Sequence, residues 1–294
     1  MAANLYNQQD SNIAKTWLLM ITFIALVVGL GYVFSYVFAE PVILYFAIGF
    51  SLVMNIFAYW NSDKVAIRQA HAVPADPVEF KELHRLVENL AITAGLPKPK
   101  LFIINDSAPN AFATGRNPDN SSIAVTTGLL QVLDKSEIEG VLAHEMAHIG
   151  NRDILVMTIA VVLSGFIALL ADFLLRGHLF GSSDNRNGAG IAILIGIVAS
   201  IVAQIFATLL QLAISRRREY LADATGALIT RYPEGLARAL EKISGYSQPM
   251  QTASKATAHL YISQPFGAKK RLAGLFATHP PMEKRIAALR GLEI

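Results

Sequence analysis

The sequence predicts an α+β chain, mainly α, in which two hydrophobic helical hairpins interrupt a smaller polar domain. Three observations point there. Four long apolar segments fall into two pairs, the polar stretches show the periods of helices and short strands, and one polar helix holds two histidines four residues apart. The 294 residues are 53% hydrophobic and 16% charged, against roughly 25% charged in a typical soluble domain. The formal net charge of +3 reads as cytoplasmic, membrane-proximal charge. A nucleic-acid surface is not indicated, because no basic patch interleaved with aromatics occurs. Cysteine is absent. That excludes disulfides and thiolate ligands, and leaves His, Asp and Glu for any metal site.

The first apolar segment, Trp17 to Phe38, is long enough at about 1.5 Å per residue to cross a hydrocarbon core of about 30 Å. It is too long for a cleavable leader, and no small-residue cleavage site follows it. Glu40-Pro41 breaks the helix, and Val42 to Trp60 returns, so residues 1–61 form a membrane hairpin. Lys15 precedes this hairpin, Lys64 and Arg68 follow it, and its turn carries only Glu40, which places both ends in the cytoplasm. Residues 154–214 form a second hairpin of Ile154 to Leu175 and Ala189 to Ile214, flanked by Arg152 and by Arg216, Arg217 and Arg218. Buried helices of a soluble core are the competing reading of this pair; its length favours spanning.

Residues 62–153 and 215–294 are expected to be two parts of one discontinuous domain. Asp76-Pro77-Val78-Glu79 has the pattern of an N-cap, a first-turn proline and a capping-box glutamate. Phe80, Leu83, Leu86, Val87 and Leu90 follow at helical spacing, and Gly95 with Pro97 ends the helix. Leu101 to Ile104 and Ile123 to Thr126 read as strands, with Asn110 to Gly115 either a third, edge-like strand or a loop. Pro233 to Ser244 and Pro280 to Leu289 read as helices.

Ser136-x-x-Glu139 reads as a capping box opening a helix through His144-Glu145-Met146-Ala147-His148. At about 3.6 residues per turn the two histidines share a face and can chelate one ion. Glu145 is rotated by about 100° from His144, beside such an ion, where it can accept a proton from water activated there. A catalytic site of this kind needs a third ligand. Glu219 and Asp223, just beyond the last apolar segment, are also four apart and share a face. One carboxylate could ligate zinc while the other fixes a ligand imidazole. A charged helix end at the membrane interface is the alternative for that pair.

These residues resemble the HtpX-type membrane metalloproteases and, more distantly, the CAAX prenyl endopeptidases. The resemblance rests on the amino-terminal hairpin, Asn110 to Gly115, His144 to His148 continuing to Asn151 and Asp153, Ser215 to Asp223, and Thr278-His279-Pro280-Pro281 with Arg285, in matching order and spacing. It implies a zincin-like catalytic domain with Zn2+ held by His144, His148 and Glu219. It also implies Asp223 behind the ligands, Glu145 as general base and His279 helping to stabilise the tetrahedral intermediate. Asn110, Ala111, Phe112, Ala113 and Thr114 correspond to the family's edge strand, which would hold an extended substrate. The implied activity is endoproteolysis of damaged or misassembled membrane proteins at the cytoplasmic side of a bacterial plasma membrane. The polar residues before Trp17 are more numerous than the shortest relatives would carry. His71, His84, His178 and His259 match no motif and read as structural or surface residues.

Three competitors remain. Prenyl-protein processing would call for a larger set of spans. A transporter would place charged or broken segments inside the bilayer. An inactive zinc-stabilised membrane scaffold is opposed by the complete set of catalytic residue types.

Overall fold

The computed structural model describes residues 2–179, 216–253, 257–266 and 280–292, and the side chains within them except at 2–8, 164 and 168–179. Helices α1 (Ala2–Phe38) and α2 (Val42–Gln69) form the expected hairpin around Glu40-Pro41. Gln9–Phe38 and Val42–Gln69 are each long and apolar enough to cross a membrane. Trp17, Ile21, Tyr36, Tyr45, Phe46, Ile56 and Trp60 are exposed on this pair. Such side chains are costly in water and at home in lipid. The first helix does not start at Trp17. It already includes the polar residues before it, because the buried stripe Leu19, Phe23 and Leu26 continues backward through Thr16 and Asn12 at the same helical spacing.

After the short strand β1 (Val73–Pro74), the Asp76 carboxylate accepts from the backbone N–H groups of Val78 and Glu79 at 2.8 and 3.0 Å. That bond organises a lead-in turn. Helix α3 proper (Lys81–Ala94) opens afterward with no side-chain cap, and Gly95 closes it in the left-handed conformation at φ 65°. Leu83, Leu86, Val87 and Leu90 are buried as their spacing predicts.

Strands β2 (Lys100–Ile104), β3 (Ala111–Asn117) and β4 (Asn120–Thr126) complete a sheet of order β1-β2-β4-β3, with β2 and β4 parallel and the other pairs antiparallel. The Asn110 to Gly115 stretch is thus a strand at the sheet's edge, Asn110 lying just before it. Alternation divides the sheet's side chains. Ile104, Phe112 and Ala124 join the core under α1 and α2, while Ile103, Ala111, Ala113, Ile123 and Val125 join the core of the polar domain. The sheet is therefore the layer between the membrane helices and the helix that carries the histidines.

Helix α4 (Thr127–Val132) was not foreseen; the Thr126 hydroxyl caps it by accepting from the Leu129 N–H at 3.1 Å. Helix α5 (Lys135–Gly150) opens on a capping box two residues earlier than the sequence suggested, with Asp134 and Glu137 in the reciprocal roles rather than Ser136 and Glu139. It meets α6 (Asp153–Leu179) at a bend of 83°, at Asn151-Arg152. The first turns of α6 are buried against α1, α2 and β3 through Val156, Ile159, Leu163 and Ile167. The expected Ala189 to Ile214 segment lies outside the described residues. Helices α7 (Arg216–Thr230) and α8 (Pro233–Gly245) pack on α5, and α9 (Met282–Arg290) packs on α8 and α7. Gly226 makes the α5–α7 crossing possible, since a Cβ there would lie 2.9 Å from the His144 backbone nitrogen.

Candidate metal centre

The bend after α5 and the close crossing of α7 bring three side chains from distant parts of the chain together. Ligand atoms of His144, His148 and Glu219 all lie within 4.8 Å of one another, and all three residues are buried. The two Nε2 atoms are 3.2 Å apart, and Glu219 oxygens lie 3.6 Å from His148 Nε2 and 3.9 Å from His144 Nε2. Two ligands on one tetrahedral zinc, each at about 2.0–2.1 Å, stand about 3.3 Å apart. The cluster is close to that spacing.

The far side of each imidazole is engaged by a carboxylate. His144 Nδ1 lies 3.0 Å from Asp223 Oδ1, and His148 Nδ1 lies 2.9 Å from Asp153 Oδ2. With Nδ1–H donating outward, both Nε2 atoms turn lone pairs toward each other, and a cation between them relieves that repulsion. Arg285, fully buried, grips Asp223 with two bonds, Nε to Oδ2 at 2.8 Å and an Nη to Oδ1 at 2.6 Å, and sits 3.6 Å from Glu219. The buried carboxylates Glu145, Asp153, Glu219 and Asp223 face the buried guanidiniums Arg218 and Arg285, a formal excess of two negative charges with neutral imidazoles. That excess suits a divalent ion, and the donor set of two imidazoles and a carboxylate fits zinc.

The electrostatics of the cluster agree. Burial pushes His144 down to about 4 against the pull of Asp223. Burial also opposes protonation of His148, but Asp153, Glu219 and Glu145 outweigh it and raise that ring to about 9. The same negative field that holds a proton there favours a metal in its place. Burial would raise the Asp223 carboxyl, yet the Arg285 guanidinium and the His144 ring keep it below the ordinary range. Glu145 is pushed up to about 7, by burial and then by Glu219, although the His148 ring and the Ala113 backbone N–H pull the other way.

Asn110, Ala111, Phe112, Ala113 and Thr114 are all buried. At one end the strand's outer edge is engaged by the chain itself. The Ile262 N–H donates to the Ala111 carbonyl at 3.0 Å, the Asn110 amide donates to the Ser263 carbonyl at 3.0 Å, and Tyr261 packs edge-on against Phe112 at 5.1 Å. Ala113 lies beside Glu145 through its N–H. His279 lies outside the described residues, as does the side chain of His178. His84 and His259 contact the carbonyls of Ala75 and Met157, at 3.1 and 3.2 Å, and are structural; His71 is exposed. In the sequence Arg285 and Asp153 carried no role of their own, Arg218 stood only as a flanking charge, and Asn12 carried no role at all. The Asn12–Thr16–Leu19–Phe23 spacing was the available signal for the last of these.

Membrane-capable helices joined to a buried His–His–Glu cluster that could hold a metal fit the class of membrane metallopeptidases, and the comparisons with known proteins support that class. The model of Peptidase family M48 matches residues 77–293, and the chain belongs to that family of metallopeptidases. It is 49% identical over 298 aligned residues to a "Protease HtpX homolog" of Caldanaerobacter subterraneus subsp. tengcongensis, covering 99% of this chain and 98% of that one. A "Protease HtpX homolog" of Pyrococcus furiosus is 47% identical over 279 residues, 94% of each chain. In fold the chain is similar to the crystal structure of S. mikatae Ste24p, with a TM-score of 0.52 at 22% identity over 97% of this chain and 67% of that one.

Proposed function

We propose that this chain is a zinc-dependent endopeptidase at the cytoplasmic face of a bacterial plasma membrane, cleaving damaged or misassembled membrane proteins. The convergence of His144, His148 and Glu219 carries the reading. These three would hold the ion, with Asp223 and Asp153 orienting the imidazoles. When bound, zinc supplies Lewis-acid polarisation of the scissile carbonyl and acidifies water. Glu145 takes the proton from the attacking water at its carboxylate and returns it to the departing amide nitrogen. An acid–base group pushed up to about 7 is suited to both transfers near neutral pH.

An extended substrate would lie along the Ala113 end of β3, beside Glu145, since the Asn110–Ala111 end already pairs with residues 262–263. His279 is assigned, on the family resemblance, to stabilising the tetrahedral intermediate. The four segments 17–38, 42–60, 154–175 and 189–214 would anchor the domain as two hairpins, with residues 62–153 and 215–294 forming the catalytic parts. The test is Glu145→Gln in the purified full chain. Zinc content should stay at the wild-type level while cleavage of casein and of an unfolded membrane protein falls about 10²–10⁴-fold. Full proteolysis with zinc retained would overturn the mechanism.

A further inference from the structure

The C-terminal end of α5, where the histidine helix stops and the chain turns by 83°, is held by the polar start of the first membrane helix. The last carbonyls of a helix lack partners within it. Here the Gln9 amide donates to the Gly150 carbonyl at 2.8 Å and the Asn12 amide donates to the Asn151 carbonyl at 3.1 Å. Asn12 is only 1% exposed and does more than cap. Its Nδ2 also donates to Asp153 Oδ1 at 2.6 Å, while Asp153 Oδ2 meets His148 Nδ1 at 2.9 Å. Its Oδ1 accepts from an Arg218 Nη at 3.2 Å, and Arg218 is the peptide neighbour of Glu219. Arg218 Nε lies 3.7 Å from Asp153 Oδ1, the oxygen that Asn12 bonds.

We propose that Asn12 is a positioning residue for the metal centre, one carboxamide that orients His148 through Asp153 and braces the Glu219 segment through Arg218. The inference rests on the proposed zinc site. A carboxamide meets the requirement, which is to donate twice, to the Asn151 carbonyl and the Asp153 carboxylate, and to accept from a guanidinium; a hydroxyl has only one proton to give. Leucine would fill the space and do neither, and aspartate would set a second carboxylate against Asp153. Because Asn12 lies on the same continuous helix as the membrane-spanning segment, the seating of α1 and the geometry of the metal site are coupled. Partners that orient a metal ligand from behind typically change metal affinity by about 10–100-fold when removed.

The experiment uses the full chain purified in detergent, as wild type, Asn12→Leu, Asn12→Asp and the control Thr22→Ala, whose hydroxyl bonds Leu18 on the same helix away from the cluster. Zinc affinity is measured on the folded, monodisperse fraction by competition with a chromophoric chelator. The visible bands of the cobalt(II)-loaded protein report ligand geometry independently. The inference predicts about 10–100-fold weaker zinc binding in both Asn12 variants and altered cobalt bands, with the control matching wild type within about twofold. Unchanged affinity and spectrum in Asn12→Leu would overturn it. So would a lower folded yield whose folded fraction binds zinc as wild type does. Wild-type protein that binds no zinc would overturn the proposed function itself, and this inference with it.

Discussion

The two imidazoles of α5 are set by what stands behind them as much as by their spacing. Asp223 and Asp153 each hold one ring, and each carboxylate is held in turn, by Arg285 and by Asn12. Arg285 is the most exposed to test energetically, although it is fully buried from solvent. Arg285→Met leaves Asp223 charged in a low-dielectric interior without its cationic partner, held only by the His144 ring. Removing one partner of a buried pair costs about 3–5 kcal/mol, so the unfolding midpoint of the purified protein should drop accordingly; an unchanged midpoint would contradict the pairing. Asp223→Asn keeps the shape but removes the charge that fixes His144, and zinc affinity should fall about 10–100-fold by chelator competition. The pairing of His144 with His148 was legible in the sequence because a helix converts a spacing of four into one shared face, whereas the choice of Glu219 over Asp223 came from the family resemblance. Asn12 was not legible, because a polar residue ahead of an apolar run looks like a solvated tail until the partner surface is known.

Among the elements, α5 and α7 approach so closely that one residue type is required at their crossing. A Cβ on Gly226 would meet the His144 nitrogen at 2.9 Å and the Ala143 carbonyl carbon at 3.1 Å, both backbone atoms that cannot swing aside. Gly226→Ala should therefore lower stability by about 1–3 kcal/mol, as overpacking does, and weaken zinc binding by moving Glu219 away from the histidines. Wild-type zinc affinity in this variant would show that the crossing does not set the site. The start of α5 illustrates what sequence pattern leaves open. Asp134-x-x-Glu137 and Ser136-x-x-Glu139 overlap and both satisfy the capping rule. The tertiary fold decides between them, since Glu137 is buried and receives Lys242 at 2.6 Å from α8. The edge strand Ala111–Asn117 was legible only as an alternative to a loop, because its pairing with β4 depends on contacts distant in sequence.

For the whole molecule, the sheet couples the membrane hairpin to the histidine helix. Phe112 and Ala124 face the core under α1 and α2, and the Arg116 guanidinium lies 4.1 Å over the ring of Trp60 at the end of the second apolar run. Apolar length and paired basic flanks made the first hairpin readable. The continuation of α1 ahead of Trp17 was hidden in polar residues such as Asn12 and Thr16, which are buried in the fold. The orientation proposed from Lys15, Lys64 and Arg68 has a direct check, because the chain has no cysteine of its own. Single-cysteine variants Glu40→Cys and Lys98→Cys sit at the hairpin turn and on the exposed surface of the polar domain. In intact cells a membrane-impermeant maleimide should label the first and spare the second until the cells are opened; the reverse pattern would contradict the topology.

In the proposed centre, two imidazoles of one helix and the Glu219 carboxylate of another would share a single zinc ion. X-ray absorption at the zinc edge of the purified full chain measures that shell directly. The expected spectrum has a first shell of nitrogen and oxygen at about 2.0–2.1 Å and the multiple-scattering signature of two imidazoles, with loss of that shell's occupancy in Glu219→Ala. A spectrum without imidazole scattering, or one that Glu219→Ala leaves unaltered, would contradict it.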